Sequence, residues 1–136
     1  LVAGTGNKSE AYLGYTTLYG DSACSFLPLA DLYKSQVWQL AAHLELPASV
    51  ISKAPSAVLW PGQTDEGELG ITYTEVDRIL YQLLDQKKEA AELTAAGYDA
   101  VRVKSVVDTM ARTRFKRELP PAAKLAPRTQ AADTEA

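Results

Sequence analysis

"LVAGTGNKSEAYLGYTTLYGD" occupies residues 1–21, and the reading of its first ten residues decides the fold. Leu1-Val2-Ala3 is an apolar run of the kind that ends a buried strand. Gly4, Thr5, Gly6 and Asn7 make a short polar turn, and Glu10 follows within a helical turn. A strand that passes through a glycine-rich turn into a helix is a typical junction of a parallel sheet covered by helices on both faces. Leu1–Gly4 is therefore expected to be a strand, Asn7 to about Tyr15 a short helix, and Gly20-Asp21 a turn.

Working outward, Cys24 to Leu29 reads as a second short strand ending at Pro28. Asp31 has the side chain of an N-cap, and Val37, Leu40, Ala41 and Leu44 recur at helical spacing after it. Lys34 would then occupy the third helical position. This helix should end at Leu46, before Pro47, with one further turn to Ile51. Lys53–Gly70 carries two prolines, three glycines and an acidic pair, and it reads as a long loop of the sort used as a lid or binding loop. Thr72-x-x-Glu75 is a capping-box pattern, followed by Val76, Ile79, Leu80 and Leu83 on one helical face. Lys87 to Ala96 is expected to be helical and to end at Gly97. Asp99 can cap a last helix whose inner face is Val103, Val106, Val107 and Met110. Pro120-Pro121 ends regular structure, and residues 122–136 have the composition of a disordered tail.

Helices dominate this count, and two short strands do not make a stable sheet by themselves. The expected class is α/β, a mostly helical part of a larger parallel-sheet domain with one or two short strands. The rest of the sheet should lie upstream, and the first residue is Leu rather than Met.

Bulk composition narrows the function classes. The chain has 136 residues, enough for one domain, with 46% hydrophobic and 23% charged residues. Fourteen Lys and Arg against seventeen Asp and Glu give −3, which offers no general attraction for nucleic acid. A single cysteine, Cys24, leaves no intrachain disulfide and suits a reducing compartment, with the cytoplasm as the default. Neither a membrane-spanning run nor a signal segment is visible.

The chemistry is expected where strands of a parallel sheet end and helices begin. There, Gly4 and Gly6 would let backbone approach a ligand, the Thr5 hydroxyl could bond it, and Glu10 could hold Mg²⁺ together with substrate phosphates. Glu10 equally suits a helix N-terminus by charge alone. Lys34 near the positive end of a helix makes sense if an anion such as phosphate sits between them, or as an exposed lysine at small cost. Ser56 could contact a nucleotide, and Asp65 and Glu66 could approach an amine or a metal or simply solvate the loop, the reading that sequence alone favours. Arg112, Arg114, Lys116 and Arg117 crowd the end of the last helix, where cations suit the dipole. Trp38 and Trp60 read as packing groups.

Four stretches give these pieces a common origin. "GTGNKSEAYLGYTTLYGD" (4–21), "PLADLYKSQVWQLAAHLELP" (28–47), "KAPSAVLWPGQTDEGELGITY" (53–73) and "RFKRELPP" (114–121) together resemble the C-terminal half of the NAD synthetases. These belong to the N-type ATP pyrophosphatases, whose adenine-nucleotide α-hydrolase-like sheet carries an SGGxDS phosphate loop that this sequence lacks. The resemblance covers residues 1–121. It implies ATP-dependent amidation of deamido-NAD through an adenylate, with ammonia as donor, or glutamine through a separate domain. It implies ATP contacts at Thr5, Lys34 and Ser56, Mg²⁺ at Glu10, deamido-NAD contacts at Phe115 and Lys116, and a role for Asp65 in orienting or deprotonating ammonium. The Lys53–Gly70 stretch corresponds to a mobile loop over the site, and the complete protein to a homodimer. Leu18 and Ser25 depart from the Lys and Asp that some relatives place against deamido-NAD.

Two other readings fit the sequence. One is a different adenylating amidotransferase of the same superfamily, such as a GMP or asparagine synthetase. The other is a helical interaction module without catalysis. The 136 residues alone are expected to bind ATP weakly and to turn nothing over.

Overall fold

The structure, a computed structural model, describes residues 1–123. The expected tail falls mostly on residues 124–136, outside the described residues. The described part comprises helices α1 (Lys8–Leu13), α2 (Lys34–His43), α3 (Ala48–Ile51), α4 (Asp65–Leu69), α5 (Tyr73–Leu84), α6 (Ala90–Ala95) and α7 (Ala100–Arg112), then a 3₁₀ turn at Arg114–Arg117. None of these helices is long and apolar enough to cross a membrane.

Local capping explains most helix starts. Asn7 accepts the Glu10 N–H at 3.0 Å while Glu10 Oε2 accepts the Asn7 N–H at 3.1 Å, a reciprocal box that opens α1. Thr72 and Asp99 receive the N–H groups of Glu75 and Arg102 at the starts of α5 and α7. Helix α1 ends at Gly14 in the left-handed region, φ 64°. A Cβ on Gly14 would overlap the Thr113 side chain, so glycine is required twice over, by backbone and by packing.

The core gathers where α1, α5, α6 and α7 meet. Leu13, Val76, Ile79, Leu80, Leu93, Val103 and Val106 are buried, with Tyr33 and Ile71 at the margin. Each fully buried aliphatic side chain contributes about 1.5–3 kcal/mol, so α5 and α7 anchor the assembly. Their inner faces are largely those the sequence period marks, except that Val107 stands outside the core and Tyr73 and Asp77 are buried on α5 as well. Arg117 locks the far end: its guanidinium donates to the carbonyls of Ala11 and Tyr12 on α1 and of Met110 on α7.

Five expectations are corrected. No strand forms among the described residues; one parallel bridge joins Ala3 and Phe26, with Gly4 N–H donating to Phe26 O at 2.8 Å. Two segments without neighbours lack the ladder that would define strands. The N-cap of α2 is Tyr33, not Asp31, which places Lys34 first in the helix rather than third. The Lys53–Gly70 stretch contains α4, started by Thr64, which accepts the Gly67 N–H, and stopped by Gly70 at φ 68°. Helix α6 begins at Ala90, because Lys87 adopts φ 56°, outside helical geometry. Leu44, just after α2, is 60% exposed and no residue of α2 is buried, so the expected apolar face is not a core face here.

A polar clamp ties three elements together. Asp85, just after α5, accepts from Lys8 Nζ of α1 at 2.9 Å and from the Tyr33 hydroxyl at 2.5 Å. These hydrogen bonds, Tyr33 first and Lys8 second, hold the Asp85 carboxyl below its ordinary range. A carboxyl whose pKa is lower in the folded state stabilises above its unfolded value, and that stabilisation is lost as pH falls through the folded value. Asp85→Asn should therefore flatten the acid limb: its urea midpoint should fall less between roughly pH 5 and 3 than that of the unaltered protein. The difference should stay below about 1 kcal/mol, because the side chain is 35% exposed and solvent screens it. Parallel acid limbs would show that the clamp does not titrate.

Candidate functional site

The junction between α1 and α2 opens onto a cavity of about 600 Å³. Thr5, Glu10, Lys34, Ser56, Asp65 and Lys116 all line it. They come from the turn before α1, from α1, from α2, from the 53–64 loop, from α4 and from the 3₁₀ turn. Phe115 does not line the cavity; its side chain is 59% exposed.

Glu10 and Lys34 form its central pair. Glu10 Oε2 is held by the Asn7 N–H, which leaves Oε1 to accept from Lys34 Nζ at 3.0 Å. Both side chains are more than four-fifths buried, so solvent screens the pair less than it would on the surface. The Lys34 ammonium also lies 5.3 Å from the centre of the Tyr73 ring, a cation–π contact, and Trp38 packs edge-on against the same ring. Glu10 thus serves both as a helix cap and as a charge facing the cavity.

The expected anion at the start of α2 is internal. Ser9 Oγ accepts the Lys34 N–H at 2.9 Å, and Asp77 Oδ2 accepts the Ser35 N–H at 2.7 Å. With those donors occupied, the helix end is no vacant phosphate seat. Whatever Lys34 offers a ligand, it offers through its ammonium.

On the other side of Tyr73, Asp65 stands at the first position of α4 and is 5% exposed. Its Oδ2 accepts from the Tyr73 hydroxyl at 3.2 Å, while Oδ1 is buried without a hydrogen-bond partner among the described residues. Beside it, Glu68 accepts from the Tyr15 hydroxyl at 2.6 Å and from Gln63 Nε2 at 3.0 Å. Gln63 Oε1 in turn takes the Leu59 N–H at 2.7 Å, tying the loop tip to this wall. Burial and the Glu10 and Asp65 carboxylates push the Tyr73 hydroxyl far up, and burial with Glu68 does the same for Tyr15. Both phenols remain protonated donors at neutral pH.

Lys116 has its ammonium on the carbonyls of Gly14 and Thr16, at 2.7 and 2.6 Å. Asp21 is fastened likewise: burial opposes its charge, but the Thr17 N–H and Thr16 hydroxyl outweigh it and hold the carboxyl low. The cavity therefore carries four carboxylates, Glu10, Asp21, Asp65 and Glu68, against the two ammoniums of Lys34 and Lys116. Ser56 receives the Val58 N–H at 3.0 Å, and Trp60, expected as a packing group, is 53% exposed and lines the opening. Gly4 is closely packed: a Cβ there would stand 2.5 Å from Cys24 Sγ and Leu27 Cδ2, so those side-chain ends would have to shift.

Among the described residues no group of three or more His, Cys, Asp and Glu could hold a metal. A divalent ion at Glu10 would therefore share one hard carboxylate with oxygens of a bound phosphate, a donor set that suits Mg²⁺. Tyr15, Gln63, Glu68 and Tyr73 were not singled out from the sequence. Glu68 lies within the quoted 53–73 stretch, but nothing in its spacing pairs it with Tyr15, 53 residues away.

Comparison with known proteins shows the family. The NAD synthase family model matches residues 1–120. An NH3-dependent NAD+ synthetase of Trichlorobacter lovleyi is 54% identical over 129 residues, which are 95% of this chain and 47% of that protein. One from Fusobacterium nucleatum is 47% identical over 92% of this chain and 48% of its own length. Among solved structures, the NMN synthetase from Francisella tularensis superposes with TM-score 0.73 and 40% identity, over 89% of this chain and 45% of that one. The NH3-dependent NAD synthetase from Campylobacter jejuni gives 0.67 and 30%, over 90% and 44%. Likeness at this level is consistent with an α/β nucleotide-binding fold. The chain spans about half the length of the curated relatives it matches.

Proposed function

The chain belongs to the NAD synthase family, and from that premise we propose that its cavity is one wall of a site for ATP-dependent amidation of deamido-NAD. The observation that carries this reading is the convergence of Thr5, Glu10, Lys34, Ser56 and Asp65, from five segments, on one cavity. In the reaction, a nicotinate carboxylate oxygen attacks the α-phosphorus of ATP and pyrophosphate leaves. Ammonia then attacks the acyl carbon, the C–O bond to AMP breaks, and nitrogen loses a proton.

The residues suit those demands. Lys34, fixed between Glu10 and the Tyr73 ring, supplies a preoriented positive charge for phosphate oxygens whose charge grows as pyrophosphate departs. The Thr5 and Ser56 hydroxyls stand at the cavity edge for further phosphate or nucleoside contacts. Glu10, with phosphate oxygens, would hold Mg²⁺, which when bound neutralises phosphate charge. Asp65 offers an acceptor without a donor, suited to ammonium or to the proton that ammonia loses. The 53–64 loop lines the cavity and is fastened through Gln63 to Glu68, a position from which closure would keep water from the adenylate. Lys116 borders the dinucleotide side, its ammonium already on two carbonyls, so its contribution there is positional. Phe115, being exposed and off the cavity, meets the dinucleotide only if a further part of the protein brings it there.

The test is turnover by the protein from the complete reading frame that contains this chain. Mg-ATP, ammonia and deamido-NAD should yield NAD, AMP and pyrophosphate in equal amounts. ATP consumption that releases phosphate rather than pyrophosphate would overturn the reading.

A further inference from the structure

Beneath the Glu10–Lys34 pair lies a second, fully buried layer that the reaction itself does not use. Asp77, in the middle of α5, is 5% exposed, and Ser9, on α1, is 0% exposed. The Ser9 hydroxyl donates to Asp77 Oδ1 at 2.5 Å and accepts the Lys34 N–H at 2.9 Å, while Asp77 Oδ2 accepts the Ser35 N–H at 2.7 Å. An ionised carboxylate this deep normally requires a cation. Among the described residues no Lys, Arg or His lies within ion-pair distance of Asp77, although six other ion pairs are present. Its counter-charge is the N-terminus of α2, reached by one direct N–H and by a second through Ser9.

We propose that Asp77, relayed by Ser9, is a positioning residue that sets Lys34 against Glu10 in the cavity. The geometry is a two-rung ladder. Ser9 and Glu10 are consecutive on α1, and Lys34 and Ser35 are consecutive on α2. The lower rung joins Ser9 and Asp77 to the two backbone N–H groups; the upper rung joins Glu10 to the Lys34 ammonium. Helix α2 has no buried residue within its span; Tyr33, buried just before it, is held by Asp85 and gives its N–H to Gln36, but neither contact touches the amides of Lys34 and Ser35. The lower rung holds those two amides, and through them the position from which the Lys34 side chain departs. A carboxylate is suited to this task because it accepts from both a hydroxyl and an amide while opposing the helix dipole.

The inference rests on the reading of the cavity as an ATP site, and its test separates the two. ATP binding is measured by calorimetry on the full-length protein carrying Asp77→Asn, Ser9→Ala, and each of these combined with Lys34→Met. Asp77→Asn should weaken ATP binding about tenfold or more, the scale of a lost charge-assisted hydrogen bond. In the Lys34→Met background the same substitution should change the affinity by less than about twofold, because a residue acting through Lys34 has nothing left to act on. Equal losses in both backgrounds would overturn the proposal and leave Asp77 a purely structural group. Ser9→Ala, which keeps the charge of Asp77, should show the same dependence on Lys34 if Asp77→Asn does not fold. Amide hydrogen exchange reads the cap without ATP: Lys34 and Ser35 should exchange about tenfold faster in Asp77→Asn, with Leu80 and Val103 unchanged. Unaltered protection at Lys34 and Ser35 would also overturn it. Should the unaltered protein bind no ATP, the functional reading falls, and exchange alone decides whether Asp77 holds α2.

Discussion

Lys34→Met should lower kcat/KM for ATP by about 100- to 1,000-fold in the full-length protein, the scale of losing one preorganised charge at a developing anion. The cavity explains why one ammonium matters so much. Four carboxylates line it, and Lys116, the other lysine there, has its ammonium on two backbone carbonyls. A triphosphate entering such a wall meets repulsion that Lys34 has to offset. Methionine keeps the unbranched stem that runs along Tyr73 and removes only the charge, so packing is retained. Stability should drop by about 1 kcal/mol, because Glu10 loses one hydrogen bond yet keeps the one from the Asn7 N–H. Initial rates of pyrophosphate release across ATP concentrations, alongside urea denaturation, measure both effects. A change in kcat/KM of only a few fold would remove Lys34 from the phosphate site, and the functional reading with it.

How much of this arrangement the sequence discloses depends on the range of the forces involved. The N-cap at Thr72 and the apolar faces of α5 and α7 are set by residues within two turns, so they read directly, although Glu75 takes the Thr72 hydroxyl rather than the Thr72 N–H that a full box would give it. The start of α2 does not, because its caps are Ser9 and Asp77, 25 and 42 residues distant from the amides they hold. Asp31 has the chemistry of an N-cap but stands two residues too early. Helix α4 had a signal, Thr64 before Asp65, Glu66 and Glu68 with Gly70 after, but the surrounding prolines and glycines masked it. Strand pairing was the least legible, since a ladder depends on neighbours that a local pattern cannot supply.

The site divides along the same line. The motif resemblance singled out Lys34 and Glu10 separately, but not the direct bond between them. Nor could it show that the Lys116 ammonium is held by backbone, since carbonyl acceptors leave no trace in side-chain identity. Tyr15 and Glu68 were invisible for the same reason that Arg117 was. Each acts on a group 53 or more residues away, through contacts that exist only once α1 has packed against its partners.

Asp65→Asn should separate stability from turnover in opposite directions. Asp65 Oδ1 is buried without a hydrogen-bond donor among the described residues, and its neighbours are the carboxylates of Glu10 and Glu68 across the two tyrosines. A charged oxygen in that position is unfavourable for the free protein. Asparagine has the same shape, removes the charge and can still accept from the Tyr73 hydroxyl, so the variant should be as stable as the unaltered protein or more so. The same change removes the acceptor for ammonium, or for the proton that ammonia sheds, and should slow the amidation step about 100-fold or more. Adenylation does not involve that proton, and pyrophosphate release in the absence of ammonia should therefore remain within a few fold. Thermal unfolding and single-turnover assays with and without ammonia distinguish the two halves of the expectation. If pyrophosphate release and amidation fall together, Asp65 shapes the wall of the cavity and does not handle the nitrogen. If neither falls, the bare oxygen has no part in the reaction, and only the stability gain would remain to be explained.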